Sequence, residues 1–326
     1  MSDQATAPDS EDRTRRRWIA ALLGLLGPGL GHLYVGRPRT ALLALTLVVI
    51  ALATFPSLVL ALTLRPVNVV LVWFVPLLLL IGVPWWSATA AARVPKPYRL
   101  RAYNRWYIYF ALWIGYVVVL ETGVRPLVRN RLEAFRIPSA SMAPALQVGD
   151  YLYVYKWVRA PNLHHGAIVV FQSVEEDLKV VKRVIGVPGD TLAMAHGVLL
   201  RNGVTVEEPY LGAGRSGRDE ERLLRAKMRE WQRAFLIPSP PDDYNPDLDD
   251  WGPIVVPDAS YFVLGDNRTH SYDSRYYGFV PASNLLGQPR LIYWSFDPRS
   301  LSMLPVITAV QWNRVGLTFP LEGRDP

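Results

Sequence analysis

Two long stretches of this chain carry no charged side chain: residues 40–64, which number 25, and residues 67–92, which number 26. About 20 helical residues cross the hydrocarbon core of a bilayer, so each stretch is long enough to span a membrane. A third stretch, residues 106–124, is rich in Trp and Tyr, has Glu121 near its end and is also long enough. We therefore predict three membrane spans at about 40–64, 67–92 and 106–124.

Residues 18–35 are also apolar, but Gly27 and Pro28 interrupt them. The interruption leaves too little continuous helix for a clear span. We predict a re-entrant or interfacial segment here, with a full span as the alternative. It completes a predicted multi-pass membrane region over residues 18–124, which follows a basic segment at residues 1–17.

The distribution of charge predicts the orientation of this region. The net charge is +7, and the densest basic clusters, at residues 13–17, 37–39 and 93–105, flank the apolar stretches. Membrane flanking explains these clusters more simply than nucleic-acid binding does. The positive-inside rule places them in the cytoplasm and the chain after residue 125 on the other side, although residues 125–131 are basic as well.

Several kinds of chemistry are excluded or disfavoured by composition. The chain has no cysteine, which excludes disulfides, thiol nucleophiles and thiolate zinc sites. The histidines lack a zinc pattern and the acidic residues lack a calcium-loop spacing, so we predict neither a metal nor a cofactor. No cleavable signal peptide is predicted, because the first apolar stretch lacks a small-residue cleavage site.

The pattern changes at residue 135 to short β-branched and aromatic runs separated by Gly, Pro and Asp turns. Such runs predict a mostly antiparallel β domain over residues 125–326, outside the cytoplasm. Residues 212–252 depart from the pattern and are interpreted as an insertion, with an amphipathic helix at 218–236 followed by a loop. The apolar residues at helical spacing in that helix are Leu224, Met228, Trp231 and Phe235.

Ser141 is the first candidate for chemistry. It lies between Pro138 and Pro144, which restrict the backbone. A serine in a Pro-rich turn is more often structural than catalytic, and a serine hydroxyl needs a base before it can act as a nucleophile. None of the five histidines has a recognisable Ser-His-Asp context: His32, His164, His165, His196 and His270.

Lys182 is a different candidate base. Strand alternation places it on one face with Val180 and Val184, and burial there would lower the pKa of its amine by several units. The opposite face carries Lys179 and Arg183, and the second charge predicts more water on that side. A lysine that extends into solvent from a sheet edge is the alternative.

Residues 264–281 are dense in Asp, Asn, Arg and Ser and follow the apolar run YFVL, which predicts a hydrogen-bonded loop. Asp273 and Arg275 can pair to shape this loop, and Ser271 can orient a lysine amine. Each of these residues, taken separately, also has a routine turn or surface explanation.

Three segments, PSASM at 138–142, KRVIGVPGD at 182–190 and GDNRTHSYDSR at 265–275, together resemble the conserved boxes of signal peptidase I, a Ser/Lys family. The likeness covers about residues 135–211 and 251–297. It implies a serine endopeptidase that removes signal peptides from exported preproteins. The implied substrates have small residues at positions −1 and −3 and bind as an extended strand.

The resemblance also implies roles for individual residues. Ser141 corresponds to the nucleophile and Lys182 to the general base. The Ser139 hydroxyl and the Ser141 backbone N–H resemble the oxyanion hole. The supporting residues that it implies are Ser271, beside the lysine, and the salt-bridged pair Asp273 and Arg275.

Other implications concern the substrate and the surroundings. Ile137, Met142 and the valines near Lys182 are candidates for the walls of the substrate pockets. The predicted partners are preproteins, the bilayer and the protein export machinery, with no nucleic acid. Family members usually have one or two spans before the protease domain, whereas three or more are predicted here.

Two alternatives stay open. A self-cleaving repressor also uses a Ser/Lys pair, but it predicts a DNA-binding N-terminus, whereas this one is hydrophobic. A non-catalytic membrane scaffold with a degenerate protease domain is the alternative from a different class. The intact residues Ser141, Lys182, Ser139 and Ser271 argue against it.

Overall fold

A computed structural model of the chain describes residues 16–62, 69–93, 102–156, 163–212, 221–238, 243–301 and 303–319. The chain divides into two compact units, Met1–Asn130 and Arg131–Pro326. The division falls later than the predicted boundary at residue 125, because the helical stretch that begins at Trp106 continues to Arg131.

The first unit is helical. A 3-10 turn covers Ala102–Asn104, and a π-helical turn at Leu120–Val124 connects the last two helices. The helices are α1 (Arg17–Leu26), α2 (Leu30–Tyr34), α3 (Pro38–Leu62), α4 (Val69–Ala92), α5 (Trp106–Val119) and α6 (Arg125–Arg131), the last of which ends at the boundary.

The predicted interruption of residues 18–35 is confirmed, since the helix ends at Leu26 and resumes at Leu30. Gly29 between the two helices has φ +91°, a conformation that glycine adopts without strain. A Cβ atom at Gly31 would lie 2.2 Å from the backbone oxygen of Ala20. Glycine is therefore required for α2 to pack this closely on α1. The membrane placement of this segment stays a prediction.

One helical stretch in the described part of the chain, Trp106–Arg131, is long and apolar enough to cross a membrane. A shorter apolar stretch covers Pro38–Thr54 in α3. The other two predicted spans, 40–64 and 67–92, run through residues whose positions or side chains lie outside the described part. They stay predictions.

The second unit is an antiparallel β domain, as predicted, and its strands form two sheets. The seven-stranded sheet has the order β1-β2-β11-β3-β4-β9-β10 and the four-stranded sheet the order β7-β6-β5-β8. The strands are β1 (Leu132–Arg136), β2 (Asp150–Lys156), β3 (Ile168–Gln172), β4 (Lys179–Gly186), β5 (Thr191–Ala195), β6 (Val198–Arg201), β7 (Val204–Thr205), β8 (Trp251–Val255), β9 (Ser260–Leu264), β10 (Val280–Pro281) and β11 (Leu285–Ser295).

Short helical elements complete this unit. Within the described residues, the amphipathic helix predicted at 218–236 covers Glu221–Gln232, and Phe235 lies beyond its end; residues 218–220 lie outside the described part. The predicted loop that follows ends earlier than expected, because Trp251 already pairs with Met194 in the four-stranded sheet. The elements are α7 (Glu221–Gln232), α8 (Ser274–Tyr277), α9 (Pro305–Thr308) and 3-10 turns at Arg268–His270 and Ala282–Asn284.

The larger sheet positions the three segments that the sequence analysis singled out. Ser141 lies in the turns between β1 and β2, and Lys182 lies in the middle of β4. Strand β4 pairs with β3 on one side and with β9 on the other. The polar loop that follows β9 therefore begins beside the strand that carries Lys182.

Candidate active site

The turn that carries Ser141 is held by the loop after β9. The backbone N–H of Asn267 donates to the carbonyl oxygen of Ser141 at 3.1 Å. The Asn267 side-chain amide donates to the carbonyl oxygen of Ala140 at 3.2 Å. Ser141 is buried, with 8% of its surface exposed. Asn267, which the sequence analysis did not single out, thus orients the serine through its backbone.

Lys182 lies directly beside this serine. Its Nζ atom is 2.8 Å from the Ser141 Oγ atom, and the lysine is only 3% exposed. Burial lowers the pKa of the Lys182 amine to about 8. The carboxylate of Asp273 opposes this shift and the Arg275 guanidinium adds to it. The two residues at the centre of the prediction are therefore within hydrogen-bond distance.

The histidines of the second unit do not take this place. Among the described residues of the unit, none of its four histidines hydrogen-bonds Ser141. His165 contacts Asp190 at 2.6 Å, and His270 contacts the Thr269 hydroxyl at 3.0 Å. The lysine is thus the basic side chain in contact with the hydroxyl.

Ser139 lies at the open side of the pair. Its Oγ atom is 3.3 Å from the Ser141 Oγ atom, and the residue is exposed. In the described part of the chain, the backbone N–H of Ser141 donates to no other residue. One hydroxyl and one backbone N–H next to the Ser141 Oγ atom are therefore available to a bound group.

Gly265 makes a close approach that a larger residue would prevent. A Cβ atom there would lie 2.2 Å from the Ser271 Oγ atom and 2.5 Å from the carbonyl oxygen of Ser141. The hydroxyl of Ser271 thus lies close to the turn of Ser141. Ser271 is buried but makes no hydrogen bond to Lys182 in this structure.

The predicted pairing of Asp273 with Arg275 is observed. Two hydrogen bonds join them, from Arg275 Nε to Asp273 Oδ1 at 2.8 Å and from Arg275 Nη2 to Asp273 Oδ2 at 2.9 Å. Both side chains are almost completely buried. Asp273 also accepts from the backbone N–H of Gly265 at 3.1 Å. Burial acts to raise the pKa of the Asp273 carboxyl. The Arg275 guanidinium and the other hydrogen-bond donors outweigh this effect and lower the pKa, so the carboxyl stays charged.

Arg183 contradicts the prediction that the β4 face carrying Lys179 and Arg183 is the more solvated one. It is 9% exposed and makes two bonds to Asp266, at 2.7 Å and 2.6 Å. Its guanidinium also lies 4.0 Å from the centre of the Tyr210 ring. The alternation of residues was interpreted correctly, but the partner that compensates the charge comes from the loop after β9. The signal available in the sequence was that Arg183 directly follows Lys182 and Asp266 directly follows Gly265, within two of the segments that carry the resemblance.

A buried hydroxyl held against a desolvated amine in an antiparallel β unit is an arrangement compatible with a serine hydrolase, a class whose hydroxyl nucleophile needs a base. Among the described residues, no three side chains of His, Asp or Glu gather as a metal-binding group.

Comparisons with known proteins define the family within this class. A family model described as "Signal peptidase, peptidase S26" matches residues 108–294, more than half of the chain. Signal peptidase I of Leptolyngbya laminosa is 37% identical, over 56% of this chain and 76% of its own. Signal peptidase I of Bacillus licheniformis is 34% identical, over 57% of this chain and 89% of its own. A solved signal peptidase I from Enterococcus faecalis V583 is 29% identical over 39% of this chain and 97% of that one, with a TM-score of 0.26.

The chain belongs to the signal peptidase family, peptidase S26, and is a serine endopeptidase. The resemblance that the three segments indicated is confirmed. This family is membrane-associated, and its substrates are preproteins that carry signal peptides.

Proposed function

We propose that this protein is a membrane-bound signal peptidase that cleaves preproteins with Ser141 as the nucleophile and Lys182 as the general base. The observation that carries the proposal is the buried 2.8 Å contact between the Lys182 Nζ and Ser141 Oγ atoms. An amine with a pKa of about 8 is neutral in an appreciable fraction of molecules near neutral pH. Such an amine can accept the proton of the hydroxyl.

The chemistry runs through an acyl-enzyme. Lys182 takes the proton from Ser141 as the Oγ atom attacks the scissile carbonyl carbon, and the resulting ammonium gives that proton to the leaving amine. The Ser139 hydroxyl and the Ser141 backbone N–H stabilise the oxyanion. Lys182 then deprotonates a water molecule that hydrolyses the ester and restores Ser141. Asp273 and Arg275 support the loop beside the lysine.

Two unpaired strand edges favour an extended substrate. Strand β9 begins to pair with β4 at Arg183, so among the described residues the edge of β4 before Arg183 has no strand partner. The backbone N–H and C=O groups of Val184 hydrogen-bond to residues 166 and 167, just before β3. Because the backbone groups of successive residues in a strand point to alternate sides, those of Val181 and Lys179 point toward the open edge. Within the part of the chain that the structure describes, strand β1 is the last strand at its end of the sheet and pairs with β2 alone.

The two open edges face one another closely enough for side chains to meet. Lys179 of β4 donates to Glu133 of β1 at 2.6 Å. Ile137 and Met142 form one buried apolar cluster with Val181 packed against it. A preprotein strand that adds to these edges would place small residues at −1 and −3 against this cluster.

The membrane region anchors the protease to the bilayer that holds its substrates. We propose a multi-pass arrangement in which the spans at about 40–64 and 67–92 precede that at 106–124. The basic clusters face the cytoplasm and the β-rich unit lies outside it. Release of preproteins by the export machinery would then deliver the cleavage site to the same side.

The decisive test is cleavage of a purified preprotein by the full chain in proteoliposomes. Wild type should cut after the small residue at −1, and a preprotein with a bulky residue at −1 should resist. Ser141→Ala protein that is folded and still cleaves would overturn the mechanism. A wild-type protein that does not cleave would support the non-catalytic scaffold.

Protease added outside spheroplasts should cut within residues 212–252 if the proposed orientation holds.

A further inference from the structure

The helix of the insertion is packed into the β-rich unit rather than projecting from it. Met228 of α7 is 1% exposed and belongs to the same apolar cluster as Phe262. The Trp231 ring lies 5.3 Å from the Phe279 ring and 6.3 Å from that of Phe262, measured between centres. The insertion lies outside the segments that carry the family resemblance, yet its helix has a fixed position.

Trp231 contacts the loop that supports the candidate lysine. Its Nε1 atom donates to the backbone oxygen of Arg275 at 2.9 Å. The side chain of the same Arg275 makes the two bonds to Asp273. The Trp231 indole therefore holds the backbone of Arg275, and the side chain of Arg275 neutralises and orients the buried Asp273 carboxylate.

Lys227, one helical turn before Trp231, contacts Tyr272, the residue that precedes Asp273 in the chain. Its Nζ atom donates to the Tyr272 hydroxyl at 2.8 Å and to Glu175 at 3.2 Å, and the Tyr272 hydroxyl donates to Glu175 at 2.7 Å. Glu175 belongs to the connection that leads into β4. One face of α7 thus contacts Tyr272 and Arg275, which lie on either side of Asp273 in the chain.

We propose that α7 is a positioning helix for catalysis, and that Trp231 is the positioning residue that holds Arg275, and through it Asp273, beside Lys182. The inference rests on the proposed role of Lys182 as the base. The charged groups that act on the Lys182 amine are Asp273, Arg275 and Asp266, and all three lie in the segment between β9 and β10. A loop that moves away from α7 would change the electrostatic environment and the hydration of the amine together.

The test is Trp231→Phe in the full chain, which keeps an aromatic ring in the apolar cluster but removes the N–H donor and part of the indole. We expect kcat for a preprotein to fall about tenfold with an unchanged KM, because Arg275 and Asp273 are displaced from the base while the substrate edges are not. We also expect the acidic limb of the pH profile to move up by about half a unit. Water that enters beside a loosened loop weakens the burial that lowers the Lys182 pKa.

Trp294→Phe is the matched control, since Trp294 in β11 also donates from Nε1 to a backbone oxygen, that of Val306 at 3.0 Å. It should leave kcat and the pH profile unchanged. Lys227→Met tests the exposed contact without altering the core and should lower kcat in the same direction.

Wild-type kcat and an unshifted profile in Trp231→Phe would overturn the inference while leaving the proposed function intact. Equal losses in Trp231→Phe and Trp294→Phe would overturn it too, because general destabilisation would then explain both. Absence of cleavage by the wild type would instead refute the proposed function itself.

Discussion

Val169 of β3 lies directly opposite Lys182 of β4 in the sheet register. Val169 is completely buried and Lys182 is 3% exposed. An ammonium group among apolar neighbours loses most of its hydration, and this loss favours the neutral amine. The cross-strand neighbour of the lysine therefore contributes to the burial that lowers its pKa from 10.5 to about 8.

The first prediction concerns pH. In the proposed mechanism the neutral Lys182 amine is the active form, so kcat/KM should rise with pH and level off above a pKa of about 8. Peptide cleavage by the full chain in detergent, measured from pH 6 to 10, tests this. An acidic limb centred near 6 would point to a histidine base instead.

The second prediction concerns the identity of the base. Lys182→Arg should be inactive, because a guanidinium stays protonated and cannot accept the Ser141 proton. Ser141→Ala should be inactive as well. Each of the two substitutions should lower kcat by more than about a thousandfold. The rates are compared in the proteoliposome assay, with circular dichroism to show that both variants fold. Substantial turnover by folded Lys182→Arg protein is the result that would contradict the assignment.

The third prediction concerns stability. The pKa of Lys182 is lower in the folded protein than in the unfolded chain, so the unfolded chain binds the proton more readily between pH 8 and 10.5. Stability should therefore rise with pH across this window. Below pH 8 the folded state carries the full free-energy cost of burying a charged Lys182. Lys182→Met should be more stable than wild type at pH 7, by roughly 2 kcal/mol, since the lost hydrogen bond to Ser141 offsets part of the gain. Urea unfolding in micelles at pH 7 and pH 10.5 should show the difference shrinking as the pH rises.

The fourth prediction concerns Gly265. An added methyl would collide with the Ser141 carbonyl and the Ser271 hydroxyl, and the Ser141 carbonyl belongs to backbone that cannot simply rotate away. Gly265→Ala should displace the serine turn and reduce kcat by about a hundredfold. Gly115→Ala, where a Cβ would meet no atom within 4 Å, is the control and should retain wild-type activity. Normal activity in Gly265→Ala would show that this approach does not position Ser141.

The fifth prediction concerns the segment after the matched family region. Arg314 makes two hydrogen bonds to buried Asp150, at 2.9 Å and 2.6 Å, and donates to the Ala145 backbone oxygen at 3.1 Å. Arg314→Met would leave a buried carboxylate without its cation, a change that typically destabilises a protein by about 3–5 kcal/mol. The free energy of unfolding measures the effect. Asp150→Asn combined with Arg314→Met should recover part of the loss, and no recovery would argue against the pair as its cause.

Much of this protein follows from local patterns. Short β-branched runs separated by turns predicted the antiparallel domain, and the spacing of Met228 and Trp231 predicted the amphipathic helix. The interruption at Gly27 and Pro28 predicted the break between α1 and α2. These features depend on backbone preferences and on which face of an element is apolar, both of which can be inferred from a short stretch of sequence.

Position within the tertiary structure decided the rest. Alternation alone could not show that Arg183 would be buried, because its partner Asp266 lies 83 residues away. Similarly, Ser141 and Lys182 are 41 residues apart and meet only because β4 pairs with β9 and the loop after β9 holds the serine turn. Residue types and their local spacing were enough to single out the residues that could perform the chemistry. Strand register and burial determined that a hydroxyl and an amine share one dehydrated site, since loss of water depends on everything packed around a group.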